Sequence, residues 1–298
     1  MKLILIHGRS QGFSQTGLKE AEIRLKWINA LYEGLKKNNL DLPISENDII
    51  FPYYGDVLDN LVKEYEKPVI GITARGTSTN TEEIKFFREF LEEVAVNAEI
   101  SKDTISSKLD SQYRERGFLN WEWIQAILRA IDNKTPWGEA SIKKFTYDVF
   151  LYLTVDPIRE AIDNEIIKHF TSEPCVVVGH SLGSIVSYNT LSSKRSGQMD
   201  VKKLITVGSP LGIQAIKNRL AKPLKIPKSV KNGWFNGYDD SDYVALNPLT
   251  KAFFNVEPDE IENKKDVKNQ TDNHHGIEGY LNDKDIAEQI YSALVDLK

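Results

Sequence analysis

The strongest constraint on this chain is a short segment in its second half, where a run of three valines leads into Gly-His-Ser-Leu-Gly at residues 179–183. An apolar run stopped by a glycine is typical of a strand buried on both faces. The apolar residues Ile185, Val186 and Leu191 then indicate a helix after the motif. Glycines on both sides of the serine permit a sharp turn, because side chains there would collide with the crowded backbone. The pattern therefore predicts Ser181 on a strained turn between a strand and a helix.

Apolar runs alternate with helical periods at both ends of the chain. Strands are predicted at residues 3–6, 48–54, 175–179, 204–208 and 233–238, with Pro52 weakening the second of them. Helices are predicted at residues 18–37, 157–170, 184–193, 211–220 and 283–297. Strands that alternate with helices in this way imply right-handed crossovers and a mostly parallel sheet.

The middle of the chain, residues 56–154, is too long to be a plain connection between a strand and a helix. Helical patterns occur at residues 81–96, 120–131 and 141–153, whereas Val69–Ile72 could instead be a strand of the sheet. We therefore predict one domain over residues 1–298 with a mainly helical insertion at 56–154, which is a candidate cap or lid.

Composition excludes several classes of protein. The chain has 298 residues, a net charge of −5 and a single cysteine, so it has neither a disulfide framework nor a cysteine-based zinc cluster. The mild acidity argues against a dedicated nucleic-acid binder. The chain contains no apolar run of about 18 residues that could span a membrane, and its first apolar stretch, residues 3–6, is too short for a signal peptide. These features predict a cytoplasmic protein.

Three segments resemble the α/β-hydrolase superfamily, and specifically its lipase- and esterase-like serine hydrolases. Gly-His-Ser-Leu-Gly is the form common in lipases, residues 206–212 look like the strand and loop that follow it, and His7-Gly8 looks like the oxyanion-hole turn. The resemblance covers residues 1–54 and about 145 onwards. It implies a three-layer α/β/α fold with a mostly parallel sheet. Because the superfamily usually has two strands before the oxyanion turn, the sheet should lack the first two strands.

A serine hydroxyl needs a general base to act as a nucleophile, and the base needs an orienting acid. The superfamily order is serine, acid, histidine, and only His274 and His275 follow Ser181 at the required place. His275 and the residues after it resemble a histidine loop of bacterial members, which favours His275 as the base and leaves His274 open. His7 is expected to fix its turn, and His180 to point away from the serine. Neighbouring histidines rarely converge on one ion, so no metal is predicted.

The acid is expected in the loop after the strand at residues 233–238. The superfamily often has Asp-Pro-Val there, and Asp242-Tyr243-Val244 is similar except for the tyrosine. This resemblance implies Asp242 as the acid, and the departure from it leaves Asp239 and Asp240 open.

An oxyanion hole needs two backbone N–H groups that face the developing charge on the substrate carbonyl oxygen. The resemblance implies that Leu182, directly after the nucleophile, supplies one of them. The other is expected from the turn after His7-Gly8, at Arg9 or, as the alternative, Ser10.

These residues predict a serine hydrolase that cleaves a small-molecule or lipid carboxylic ester through an acyl-enzyme on Ser181, with no cofactor. The alternatives are a non-catalytic binding module of the same fold, and an acyltransferase or amidase that uses the same residues.

Two further features have competing interpretations. The basic residues from Lys217 to Lys231 could meet an anionic membrane surface, although a solvated helix end and linker explains them as well. The aromatic segment at residues 118–127 could line an acyl pocket or form the core of the insertion.

Overall fold

The computed structural model describes residues 1–8, 17–73, 81–109, 121–245 and 247–295. Its centre is a six-stranded sheet in which every pair of neighbouring strands is parallel, in the order β2-β1-β3-β4-β5-β6. The strands are β1 (Lys2–Ile6), β2 (Ile49–Ile50), β3 (Cys175–His180), β4 (Val201–Val207), β5 (Trp234–Gly237) and β6 (Glu262–Lys264).

Helices cover both faces of this sheet. They are α1 (Glu20–Lys37), α2 (Gly55–Thr73), α3 (Thr81–Asn97), α4 (Lys102–Ser107), α5 (Trp121–Lys134), α6 (Glu139–Thr154), α7 (Asp156–Ile167), α8 (Leu182–Ser192), α9 (Gln214–Lys217), α10 (Ile277–Leu281) and α11 (Lys284–Val295). The predicted three-layer α/β/α fold is therefore confirmed.

The period of two along the strands divides the core into two layers. Leu3 and Leu5 of β1 pack with α1 and α11, whereas Ile4 and Ile6 pack with the helices between α2 and α8. Alternate side chains of a strand point to opposite faces, so a strand buried on both sides must be apolar throughout. This explains the uninterrupted apolar runs at residues 3–6 of β1 and 175–178 of β3.

The helices between residues 55 and 154 share one apolar core with the sheet. Phe86, Phe90 and Phe145 belong to the same buried cluster as Ile4 and Val177. The alternative of a strand at residues 69–72 is wrong, because these residues continue α2. Trp123, Ile124 and Ile127 are buried in this core, whereas Phe118 and Leu119 lie outside the described residues. A cap or lid movement of these helices stays a prediction.

The sheet differs from expectation at its two edges. The strand predicted at residues 48–54 is reduced to β2, and β6 was missed because its sequence, Glu-Asn-Lys, has no apolar residue. The helix predicted at residues 211–220 is a 3₁₀ turn at Pro210–Gly212 followed by α9. In the described part of the chain, every helix is too short or too polar to cross a bilayer.

The basic run divides in two in the structure. Arg219 forms ion pairs with Glu82 and Glu89 of α3, and its guanidinium lies 4.6 Å from the ring centroid of Phe86. The later lysines, at positions 222, 225, 228 and 231, are exposed. Arg219 therefore holds α3 against the sheet domain, and membrane contact by the exposed lysines stays a prediction.

Candidate active site

Ser181 occupies a strained turn between β3 and α8. Its φ of 56° and ψ of −127° lie in a region that residues with a side chain rarely adopt, at a cost of order 1–3 kcal/mol. The turn is held because the Ser181 N–H donates to the Val207 carbonyl at 3.2 Å and its carbonyl accepts from the Ser184 N–H at 2.9 Å. Local strain retained by surrounding hydrogen bonds is frequent at functional sites.

Glycine is required on both sides of this serine because backbone segments meet here. A Cβ on Gly179 would stand 2.6 Å from the Ser187 hydroxyl oxygen. A Cβ on Gly183 would collide with the carbonyl oxygens of Ile6 and His7 at the end of β1. The Gly-x-Ser-x-Gly pattern thus lets α8 approach the end of β1 closely.

The structure brings Ser181, His275 and Asp242 together in one chain of hydrogen bonds. His275 Nε2 lies 2.8 Å from Ser181 Oγ, and His275 Nδ1 lies 2.6 Å from Asp242 Oδ2. Asp242 is fully buried, and an ionised carboxylate at this position can only accept, so in that form Nδ1 carries the proton and donates it. Nε2 of the neutral imidazole is then free to accept the hydroxyl proton of Ser181.

The alternative base, His274, has a different environment. Its φ is 56°, and its Nδ1 donates to the Asn269 carbonyl at 2.9 Å. No hydrogen bond between its ring and Ser181 or an acid occurs in the described residues. His274 thus ties the loop to itself, and this leaves His275 to face the serine.

The alternative acid, Asp239, holds the histidine loop from outside the chain of hydrogen bonds. Its carboxylate accepts the backbone N–H groups of Ser241 at 2.6 Å and of Asn269 at 2.5 Å. The Asn269 side chain in turn donates to the Gly276 carbonyl at 2.8 Å. Asp240 is exposed. Asp239 therefore supports the backbone on both sides of His275, and none of its hydrogen bonds among the described residues is to the His275 ring.

A cavity of about 330 Å³ opens over Ser181. Its described lining comes from the start of α1, from the segment between α5 and α6 together with the first turns of α6, and from the histidine loop. The residues are Leu18, Ile23, Lys26, Trp27, Trp137, Ser141, Phe145, His180, Ser181, Asn273, His275, Gly276, Ile277 and Glu278. A volume of this size, mostly apolar with a few polar groups that converge on a hydroxyl, is typical of a site for a small organic molecule.

A comparison with protein families found one match, to the PGAP1-like alpha/beta domain over residues 152–257. This domain is a member of the α/β-hydrolase superfamily, and the match together with the mostly parallel sheet is consistent with an α/β hydrolase. The matched region contains β3, Ser181, β4, β5 and Asp242, and His275 follows it. Searches of curated proteins and of solved structures found no match.

The α/β-hydrolase site contains one residue that the sequence did not point to. The hydroxyl of Tyr280, on α10, donates to Asp242 Oδ2 at 2.7 Å, the same oxygen that accepts from His275. Tyr280 is fully buried, and burial raises its pKa well above the usual range for tyrosine, so the hydroxyl keeps its proton and remains a donor. No sequence motif marks Tyr280 as part of the site. It lies five residues after His275, where a tyrosine is equally well explained as part of the apolar face of a short helix.

The ring of His180 packs against the candidate base, and none of its hydrogen bonds in the described residues is to Ser181. Its ring lies 4.9 Å from that of His275, and its Nε2 donates to the His275 backbone carbonyl at 2.7 Å. Burial lowers the pKa of His180 well below its usual value, and the neighbouring His275 lowers it further. His180 is therefore neutral, so it positions the His275 backbone without placing a positive charge beside that ring.

His7 holds the turn after β1. Its Nδ1 donates to the Gly8 carbonyl at 2.6 Å, and its Nε2 accepts the backbone N–H of Tyr54 at 3.1 Å. The two bonds fix the neutral form with the proton on Nδ1, and burial lowers the pKa of His7 to about 4. The ring also stacks on that of Tyr54 at 4.0 Å between centroids.

Acidification is expected to destabilise the fold through His7. In the unfolded chain its pKa is 6.5, whereas in the folded chain it is about 4, so below pH 6.5 the unfolded state binds a proton that the folded state excludes. The contribution of neutral His7 to the free energy of unfolding is fully present above pH 6.5 and is lost as the pH falls towards 4. At pH 5 the loss from this residue is about 2 kcal/mol.

Urea unfolding at pH 7 and pH 5 measures this difference. In His7→Asn, the fall in unfolding free energy between the two pH values should be smaller than in the wild type by about 2 kcal/mol. His180 contributes a loss of the same sign to both proteins, so the comparison isolates His7. An equal fall in the two proteins would contradict a buried neutral His7.

The candidate oxyanion donors are only partly described. Leu182 is the first residue of α8, and the first N–H groups of a helix have no intrahelical acceptor. The positive end of the helix dipole adds to the attraction of this N–H for an anion. Arg9 and Ser10, the other predicted donors, lie outside the described residues.

Cys175 lies at the start of β3 and is buried. Burial is the main cause that raises the pKa of its thiol to about 12, so it remains a thiol and packs as a small apolar side chain. Among the described residues, no group of three or more histidine, cysteine, aspartate or glutamate side chains is placed to hold a metal ion.

Proposed function

We propose that this protein is a serine hydrolase that cleaves carboxylic esters through an acyl-enzyme on Ser181. The observation that carries the proposal is the chain of hydrogen bonds from Ser181 Oγ through the His275 ring to the buried Asp242 carboxylate, at 2.8 and 2.6 Å. The match to the PGAP1-like domain supports a hydrolase fold. The hydrogen-bond geometry supports the roles of Ser181 as nucleophile, His275 as base and Asp242 as acid.

In the proposed mechanism, His275 Nε2 accepts the hydroxyl proton while Ser181 Oγ attacks the acyl carbon. The negative charge that develops on the carbonyl oxygen is stabilised by the Leu182 N–H and by a second donor from the turn after Gly8. Asp242 stabilises the imidazolium and keeps its orientation. His275 then gives the proton to the leaving alcohol, and water hydrolyses the acyl-enzyme by the same steps.

Transfer of the acyl group to another acceptor, or cleavage of an amide, uses the same three residues. A non-catalytic binding module would have no need of an aligned acid, base and nucleophile. An assay of hydrolysis, with esters of short and long acyl chains and matched amides, distinguishes these activities.

Fluorophosphonate labelling tests the nucleophile directly. The folded wild type should incorporate one label, which peptide mapping should place on Ser181, and Ser181→Ala should incorporate none. Ser192→Ala is the matched control, because Ser192 is an exposed serine at the other end of α8, and it should label like the wild type. A folded wild type that stays unlabelled, or equal labelling of Ser181→Ala, would refute the proposal.

A further inference from the structure

We propose that the alcohol part of the substrate is apolar and packs against Trp137 and Phe145, two residues of the segment from α5 to α6. This inference rests on the proposed function, because it concerns which part of an ester occupies which part of the cavity.

The chemistry of ester cleavage fixes where the leaving group lies. His275 Nε2 must return its proton to the alcohol oxygen, and a general acid does so from about 2.6–3.2 Å. The alcohol oxygen is therefore beside the His275 ring when the bond to the acyl carbon breaks. The group that this oxygen carries must occupy the part of the cavity next to the histidine.

Two aromatic rings lie in that part of the cavity. The ring centroid of Trp137 is 4.9 Å from that of His275, and the centroid of Phe145 is 6.1 Å from it. The two aromatic rings also pack edge to face on each other, with centroids 5.8 Å apart. Both residues line the cavity that contains Ser181. They therefore form the apolar part of the cavity wall beside the proton donor, next to the ring of His180, whose centroid is also 4.9 Å from that of His275.

This wall presents carbon to the cavity. Trp137 Nε1 is buried, with no hydrogen-bond partner among the described residues, so the donor is directed away from the open space and the exposed part of the indole is hydrocarbon. A hydroxyl group buried against carbon loses its bonds to water without replacement, which is unfavourable. Burial of an alkyl or aryl group against the same surface is favourable, because it removes apolar area from water.

Two polar residues of the same lining, Asn273 and Ser141, are engaged within the protein, whereas the charged Lys26 and Glu278 also line the cavity. Asn273 Oδ1 accepts the backbone N–H of His275 at 3.1 Å, and Ser141 has a partner of its own. Gly276 and Ile277, which follow His275 in the chain, add no polar side chain. The two aromatic rings beside His275 thus favour an apolar alcohol over a sugar or another polyol.

Esters that differ only in the alcohol test this inference. The series is methyl butyrate, cyclohexylmethyl butyrate and glucose 6-butyrate, of which the last two join a six-membered ring through a primary alcohol. In the wild type, kcat/KM for the cyclohexylmethyl ester should exceed that for each of the other two by at least about tenfold. The ratio of kcat/KM for methyl butyrate to that for methyl acetate separately measures the preference for the acyl group.

Trp137→Ala should lower the cyclohexylmethyl-to-methyl ratio of kcat/KM by about tenfold and change the butyrate-to-acetate ratio by less than about twofold. Trp121→Ala is the control, because Trp121 is a half-buried tryptophan at the start of α5 that does not line the cavity, and it should leave both ratios unchanged. Trp137→Leu, which keeps an apolar side chain, gives a smaller change in the same direction and replaces Trp137→Ala if that variant does not fold.

Three results would overturn the inference. They are a preference for the glucose ester, an alcohol ratio that the Trp137 variants do not change, and an equal loss on all esters, which would mean that Trp137 only shields His275. In each case an enzyme that still labels on Ser181 and hydrolyses esters leaves the proposed function intact. Absence of labelling and of all hydrolysis would instead refute the proposed function.

Discussion

Replacement of His275 by glutamine is expected to lower kcat for ester hydrolysis by about 10⁵–10⁶-fold. The glutamine side chain cannot accept the Ser181 proton at neutral pH, so the nucleophile stays a neutral hydroxyl. The proton donor for the leaving alcohol is lost at the same time. The remaining activity comes from substrate binding and from the oxyanion donors, which the substitution leaves in place.

His274→Gln is the matched control, because it changes the neighbouring histidine in the same loop. His274 donates to the Asn269 carbonyl, and a glutamine amide can replace that donor, so kcat should stay within about tenfold of the wild type. Steady-state kinetics on one ester, with circular dichroism to verify folding, measures both variants. A larger loss in His274→Gln than in His275→Gln would show that His274 is the base.

Replacement of Asp242 by asparagine is expected to lower kcat by about 10⁴-fold. The asparagine amide donates where the carboxylate accepted, so the imidazole moves its proton from Nδ1 to Nε2 and can no longer accept from Ser181. The imidazolium that forms during attack also loses its counter-charge. The Tyr280 hydroxyl, which donates to the same oxygen in the wild type, can turn to accept the second N–H of the asparagine amide, so the loss should be in kcat more than in folding.

Asp239→Asn separates the two candidate acids. Asp239 accepts two backbone N–H groups, and an asparagine retains one acceptor oxygen, so the expected effect is on stability, of about 1–3 kcal/mol. Thermal unfolding and kcat are measured for both variants. If Asp239→Asn lost about 10⁴-fold in kcat while Asp242→Asn kept near wild-type activity, Asp239 would be the acid.

Local patterns were sufficient for the central parts of the fold. The buried strands β1, β3 and β4 are recognisable because their fully covered stretches, residues 3–6, 175–178 and 204–207, are largely apolar. The edge strand β6 was not recognisable, since half-exposed positions at an edge impose no such pattern. β2 ends before Pro52, because a proline has no N–H to donate to a neighbouring strand.

The supporting residues of the site could not be found in the same way. Tyr280 and Asn269 act through single hydrogen bonds to Asp242 and to the loop of His275, and neither bond leaves a periodic pattern in the sequence. Trp137 lies far from His275 along the chain, and only the packing of the segment between α5 and α6 brings it to the histidine.

The sequence by itself determined the strained turn at Ser181, because that conformation needs glycines at fixed positions between a strand and a helix. It also indicated a resemblance to the α/β-hydrolase superfamily and predicted the order of the candidate nucleophile, acid and base. Only the tertiary structure decided which of two adjacent histidines faces the serine and which of three acids faces the histidine. These choices depend on contacts between residues 94 and 33 positions apart, whose distances are fixed by packing and not by local preference.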